Sequence, residues 1–132
     1  MITGNIRGVQ PGIRSNKLDY LSFLAKENNT VIISLTESHL KERVDDAEIH
    51  IEGFSITRSD RVIREGGGVV VYIKDHLTVS NELRESDSMN DLLGVYINEL
   101  YIAYITMYRP PDSTVASFQW SLRKVSEWIR KI

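Results

Sequence analysis

Leu18, Leu21, Leu24 and Ala25 fall on one face at helical spacing, and the pattern stops at Asn28-Asn29, residues that tolerate a left-handed helix end. This predicts an amphipathic helix beginning near Lys17, after the turn chemistry of Gln10-Pro11-Gly12 and with Ser15 or Asn16 as its cap. Before it, the half-apolar stretch Ile2 to Val9 reads as a short strand. After it, Val31-Ile32-Ile33-Ser34-Leu35 is almost wholly apolar and β-branched, as a central strand covered on both faces requires. The order strand, helix, strand predicts parallel pairing. From Phe54 the texture changes to short strand-like runs, Phe54 to Arg58, Val69 to Lys74, Leu92 to Asn98 and Leu100 to Met107, which predict antiparallel pairing. Asn98-Glu99 then leaves room for a two-residue hairpin. A second helix is expected near Thr114, with Phe118, Leu122, Val125, Ile129 and Ile132 as its buried stripe.

With 132 residues, 42% of them hydrophobic, the chain is of a size for one domain or part of one. Its apolar runs are far shorter than the roughly 20 residues of a membrane-spanning helix, and its start lacks the pattern of a secretory signal. The expectation is a chain that is not secreted, has no membrane partner and works inside the cell, the nucleus included. Zero cysteines exclude disulfides, thiolate metal sites and a cysteine nucleophile. A net charge of -2 provides no global positive field for phosphate backbones, so any nucleic-acid contact is local.

Candidate chemistry is thinly spread. Glu37 directly follows the buried strand, where α/β sheets gather ligands, and a carboxylate there can hold Mg²⁺ or can simply begin a short helix. His39, His50 and His76 have no metal-ligand spacing and read as solvated surface residues. Gly66-Gly67-Gly68 precedes a strand rather than a helix, so it reads as hairpin-turn chemistry and not as a phosphate loop. Arg58, Arg61 and Arg64 can contact successive phosphates or form a solvated hairpin arm. The Tyr108 hydroxyl can bond a phosphoryl oxygen, or its ring can close the core edge. Asn5 can orient a metal-bound carboxylate or serve a turn.

Taken in order, Asn5-Ile6-Arg7-Gly8, Leu18 to Leu24, Ile33 to Leu40, Gly53-Phe54, Asp60-Arg61, Gly66 to Ile73 and Tyr108-Arg109-Pro110-Pro111 form a series. That series resembles the endonuclease/exonuclease/phosphatase superfamily, and most resembles the apurinic-type endonuclease domain of LINE-type (non-LTR) retrotransposons. The resemblance implies an α/β fold, part of a four-layered sandwich of mixed, largely antiparallel sheets with outer helices. It also implies phosphodiester hydrolysis on DNA with Mg²⁺, or Mn²⁺ as substitute. By the same resemblance Glu37 is the metal ligand, Asn5 supports the metal site and Tyr108 touches the scissile phosphate. The family's later Gly-Asp-x-Asn and Ser-Asp-His segments are missing, and after Tyr108 the only acids are Asp112 and Glu127, with no histidine. The expectation is therefore the first half of such a domain, inactive alone. Its inner strands, Val69 to Ile73 and Leu92 to Met107, should then be exposed and should favour self-association or a partner that completes the domain. Two alternatives remain: a noncatalytic or nucleic-acid-binding remnant of the same fold, and a phosphoesterase for a small phosphorylated substrate.

Overall fold

The structure is a computed structural model that describes residues 1–7, 15–40, 44–60 and 67–132. The first helix, α1 (Ser15–Glu27), buries Leu18 and Ala25 and packs Leu21 beside them, as its periodicity predicts. Its end is capped by the asparagines. Asn28 turns both its backbone N–H and its Nδ2 onto the Leu24 carbonyl, and Asn29 takes a left-handed φ of 49°. The opening strand, β1, is Ile2–Asn5, shorter than Ile2 to Val9, and positions 8–14 lie outside the described residues.

β2 (Ile32–Thr36) is buried as its composition demands and pairs parallel with β1, the crossover made by α1. On its other side β2 pairs antiparallel with β4 (Val69–Lys74), which pairs antiparallel with β3 (Phe54–Ser59), giving the order β1-β2-β4-β3. Gly67 and Gly68 thus lead into the second of two consecutive antiparallel strands, while Gly66 lies outside the described residues. Period-two alternation sorts this sheet's side chains. Ile33, Leu35, Val70 and Tyr72 face α1, while Ile32, Val69, Val71 and Ile73 face a second sheet.

That second sheet is β5 (Val79–Ser86), β6 (Asp91–Ile97) and β7 (Ile102–Tyr108), antiparallel throughout. Leu93, Val95 and Ile97 meet the first sheet, and α2 (Val115–Ile129) covers the outer face. The layers run helix, sheet, sheet, helix, which is the expected sandwich architecture. No helix among the described residues is long and apolar enough to cross a membrane.

Four expectations are corrected. β5 was not predicted: its only buried side chain is Leu83, and a bulge between Ser80 and Leu83 breaks its alternation. The β6–β7 connection is not a two-residue hairpin but runs through a 3₁₀ turn at Asn98–Leu100 to a left-handed Tyr101. The apolar stripe of α2 is not the buried face. Leu122 and Ile129 are about half exposed, while Ser117, Ser121 and Trp128 are buried. The serines are buried because they are satisfied: Ser117 donates to Asp87, and Ser121 Oγ accepts from Asn90 Nδ2 at 3.0 Å. Finally, Val69 to Ile73 and the inner residues of β6 are not exposed, because the two sheets bury each other.

Candidate active site

The parallel register of β1 and β2 sets Asn5 beside Thr36, and the chain continues directly into Glu37. Ile6 N donates to Thr36 O at 3.0 Å and extends that pairing past the strand end. β4 runs the opposite way, so its first residue, Val69, lies opposite Thr36 and delivers Gly67-Gly68 to the same rim. In the second sheet Tyr108 ends β7 opposite Asp91, the first residue of β6. Gly68 N donates to Asp91 Oδ2 at 3.0 Å, which ties this corner of the second sheet to the rim of the first. Asn5, Glu37 and Tyr108, far apart in sequence, therefore stand at one end of the sandwich. Asn5 shares a face with Thr36 and Tyr108 packs with the inter-sheet cluster, so both lie on the sheet faces that meet.

The Glu37 segment is a strained loop and not the first turn of a helix. Glu37 and His39 both hold left-handed backbone, φ 55° and 56°, a conformation that costs a residue with a Cβ of order 1 kcal/mol or more. The opposing glycines keep it there: Ser38 N donates to Gly68 O at 3.3 Å and His39 N donates to Gly67 O at 3.0 Å. Gly67 and Gly68 present those carbonyls from φ of 65° and 85°, which glycine adopts freely. His39 is half-buried, and its Nε2 sits 3.7 Å from Glu37 Oε1. It belongs to the site and is not a free surface histidine, whereas His50 and His76 are exposed. Ser38 is fully buried, and its hydroxyl has no hydrogen-bond partner among the described residues.

Asn5 Oδ1 accepts from Arg7 N at 3.2 Å, a turn-forming bond. Lys17 Nζ reaches the Ile6 and Arg7 carbonyls at 3.0 and 3.3 Å and fastens α1 to the same corner. Across the sandwich, Tyr104 OH and Ser34 Oγ are 2.7 Å apart, a bond that holds β7 over β2 two same-face positions below Tyr108.

Arg58 lies at the far edge of the first sheet, on β3. Its guanidinium is 3.2 Å from Asp46 Oδ1 and 3.0 Å from Asp60 Oδ2 and is largely buried, so it forms an ion-pair cluster and not a solvated arm. Burial pushes the Asp60 carboxyl above its ordinary range, and Arg58 offsets this only in part. Arg61 and Arg64 lie outside the described residues.

The side-chain donors at the rim are oxygens, the Glu37 carboxylate and the Asn5 carboxamide. Such a set suits Mg²⁺, which takes one or two carboxylates and keeps several waters. Among the described residues no three of His, Asp and Glu gather into a ready-made metal cluster. No spacing in the sequence singles out Ser38, the pairing of His39 with Glu37, the carbonyls of Gly67-Gly68, or Asp91. Two signals lay within reach: an isolated Ser between two polar residues after a buried strand, and an Asp at the head of an apolar strand.

This architecture recurs in solved structures. An AP endonuclease from Archaeoglobus fulgidus superposes with a TM-score of 0.65 at 20% identity, over 99% of this chain and 52% of that one. Truncated TDP2 of Caenorhabditis elegans gives 0.62 at 17% identity, over 98% and 55%. The AP endonuclease LMAP of Leishmania major gives 0.57 at 12% identity, over 98% and 46%. At such identities the likeness is one of fold, a two-sheet α/β sandwich, and the chain spans about half the length of these structures. No family model and no curated protein matches the sequence.

Proposed function

We propose that this chain carries the metal-binding part of a DNA-directed phosphodiesterase site, of the kind found in retrotransposon endonuclease domains. The single observation that carries this function is the convergence of Asn5, Glu37 and Tyr108 on one rim, with Glu37 held in a strained loop. That two of the similar structures are named AP endonucleases supports a nucleic-acid phosphodiester as substrate. Glu37 would hold Mg²⁺, or Mn²⁺ in its place, with Asn5 in support, and an ion held there would supply neutralisation of charge on phosphoryl oxygens. The Tyr108 hydroxyl donates to a phosphate oxygen. His39 Nε2, 3.7 Å from Glu37 Oε1, limits the rotation of that carboxylate.

The isolated chain has the electrostatic half of the chemistry and lacks an evident base to activate water. Beyond Tyr108 it has only Asp112 and Glu127 as acids and no histidine. We therefore assign turnover to a site in which a base other than these residues activates water. DNA contact by Arg61 and Arg64 belongs to the same proposal, and Arg58, engaged with two carboxylates, contributes less.

The test is Mn²⁺ titration followed by paramagnetic broadening of amide signals. Broadening centred on residues 36 to 39 and lost in Glu37→Ala is the expected result. Broadening that is indifferent to that substitution, or absent from this loop at saturating Mn²⁺, overturns the assignment. Supercoiled DNA should remain unnicked by the isolated chain.

A further inference from the structure

Asp91 is a fully buried carboxylate at the head of β6. Charges are rarely kept in protein interiors without paired or hydrogen-bonded oxygens, and here each oxygen has a defined donor. Oδ2 accepts from Gly68 N at 3.0 Å, and Oδ1 accepts from Ser86 Oγ at 2.9 Å. Gly68 is the residue whose own carbonyl receives Ser38 N, and the neighbouring Gly67 carbonyl receives His39 N. One continuous set of bonds therefore leads from Ser86 through Asp91 and the glycine pair to the left-handed loop that carries Glu37. Asp91 is also the register partner of Tyr108.

We infer that Asp91 is a positioning residue: it fixes the Gly67-Gly68 peptide planes, through them the orientation of Glu37, and does so from the position paired with Tyr108. Both candidate contacts to a phosphodiester, the carboxylate side and the tyrosine side, thus share one buried anchor. The inference deepens the metal-site assignment above and rests on it for its functional meaning, while the coupling of Asp91 to the loop stands on the hydrogen bonds alone. A wholly structural role would predict that loss of Asp91 loosens the sandwich evenly. Positioning predicts a local effect, because the glycine pair has no Cβ packing of its own to hold it once the Gly68 N–H loses its acceptor.

The experiment compares Asp91→Ala, Asp91→Asn, Ser86→Ala and, as a control for a buried hydroxyl far from the loop, Ser121→Ala. Amide hydrogen exchange at Ser38 and His39 is read against amides of β4, and Mn²⁺ affinity is measured on the same samples. Asp91→Ala should accelerate Ser38 and His39 exchange about tenfold or more beyond any change in β4, and should weaken Mn²⁺ binding about 10- to 100-fold. Asp91→Asn should restore most of both, since its Oδ1 can accept from Gly68 N while Nδ2 donates to Ser86 Oγ. Ser86→Ala should show the same local pattern with smaller amplitude, and it carries the test together with Asp91→Asn if Asp91→Ala fails to fold. Equal acceleration in loop and β4, or loop exchange in Ser86→Ala no different from Ser121→Ala, overturns the inference. Wild-type protein that binds no Mn²⁺ refutes the metal assignment, and the exchange data then still decide whether Asp91 holds the loop.

Discussion

Adding a single methyl group at Gly94 tests how α2 is seated. A Cβ built there would lie 2.9 Å from Trp128 Cζ3, 3.0 Å from Cη2 and 3.2 Å from Leu83 Cβ. Unstrained carbon contacts need about 3.5–4.0 Å, so the indole must move by several tenths of an ångström. It has little room, because Trp128 is 7% exposed and its displacement lifts α2 from the sheet. Overpacking of this kind costs about 1–3 kcal/mol. Replacing glycine returns about 0.4–1 kcal/mol by restricting the unfolded chain. Gly94→Ala should therefore lose about 1–2 kcal/mol net, read as a lower urea midpoint with unchanged slope by circular dichroism. In a Trp128→Leu background, where the bulky ring is gone, the same substitution should cost nothing or stabilise, a coupling of about 1–2 kcal/mol. An unchanged midpoint, or an equal loss in both backgrounds, would refute the packing of Trp128 on Gly94.

Leu122→Gln should change stability by less than about 0.5 kcal/mol, whereas Trp128→Ala should cost about 3–5 kcal/mol; thermal melts of the pair check which face of α2 is buried. Tyr104→Phe should cost about 1–3 kcal/mol by leaving the buried Ser34 hydroxyl unpaired, and Tyr104→Phe with Ser34→Ala should recover most of it. Asp87 gives a pH prediction. Burial pushes its carboxyl up, but hydrogen bonds from Ser117 and from the Asn90 and Met89 amides outweigh burial and hold it below 3.8. A depressed folded-state value stabilises above the unfolded value and is lost as pH falls through the folded one. Ser117→Ala should therefore be less stable than wild type above about pH 5, and the gap should shrink below 3.8 in acid titrations.

Elements whose pattern is set by burial on both sides were readable from sequence. β2 and β4 are apolar nearly throughout because each lies between α1 and the second sheet. β5 was not readable, because an edge strand with one buried residue and a left-handed Asn81 has no period to detect. On α2 the periodicity pointed to the right element and the wrong face. Hydrophobicity counts Ser117 and Ser121 as solvent-seeking, yet the Asp87–Asn90 turn supplies the partners that let them be buried, and only the tertiary fold reveals that turn. The candidate site was marked by single residues, Asn5, Glu37 and Tyr108, whose conjunction depends on strand register. The residues that hold them, Ser38, Gly68 and Asp91, act through main-chain bonds that leave no spacing rule in the sequence.

The site joins ends of strands from both sheets, so its geometry depends on how the sheets are offset. The apolar layer between them, Val71 and Ile73 against Leu93 and Val95, resists separation but is poorly suited to prevent sliding, since burial is non-directional. Directional bonds are needed for that. The structure places two across the same gap: Ser34 to Tyr104 in the interior and Gly68 to Asp91 at the rim. Two bonds at different depths fix both the offset and the rotation of one sheet on the other, which a single bond at either depth would leave free. Glu37 on the first sheet and Tyr108 on the second are thereby held in one arrangement, as the proposed function requires, since fixed groups stabilise developing charge without reorganising.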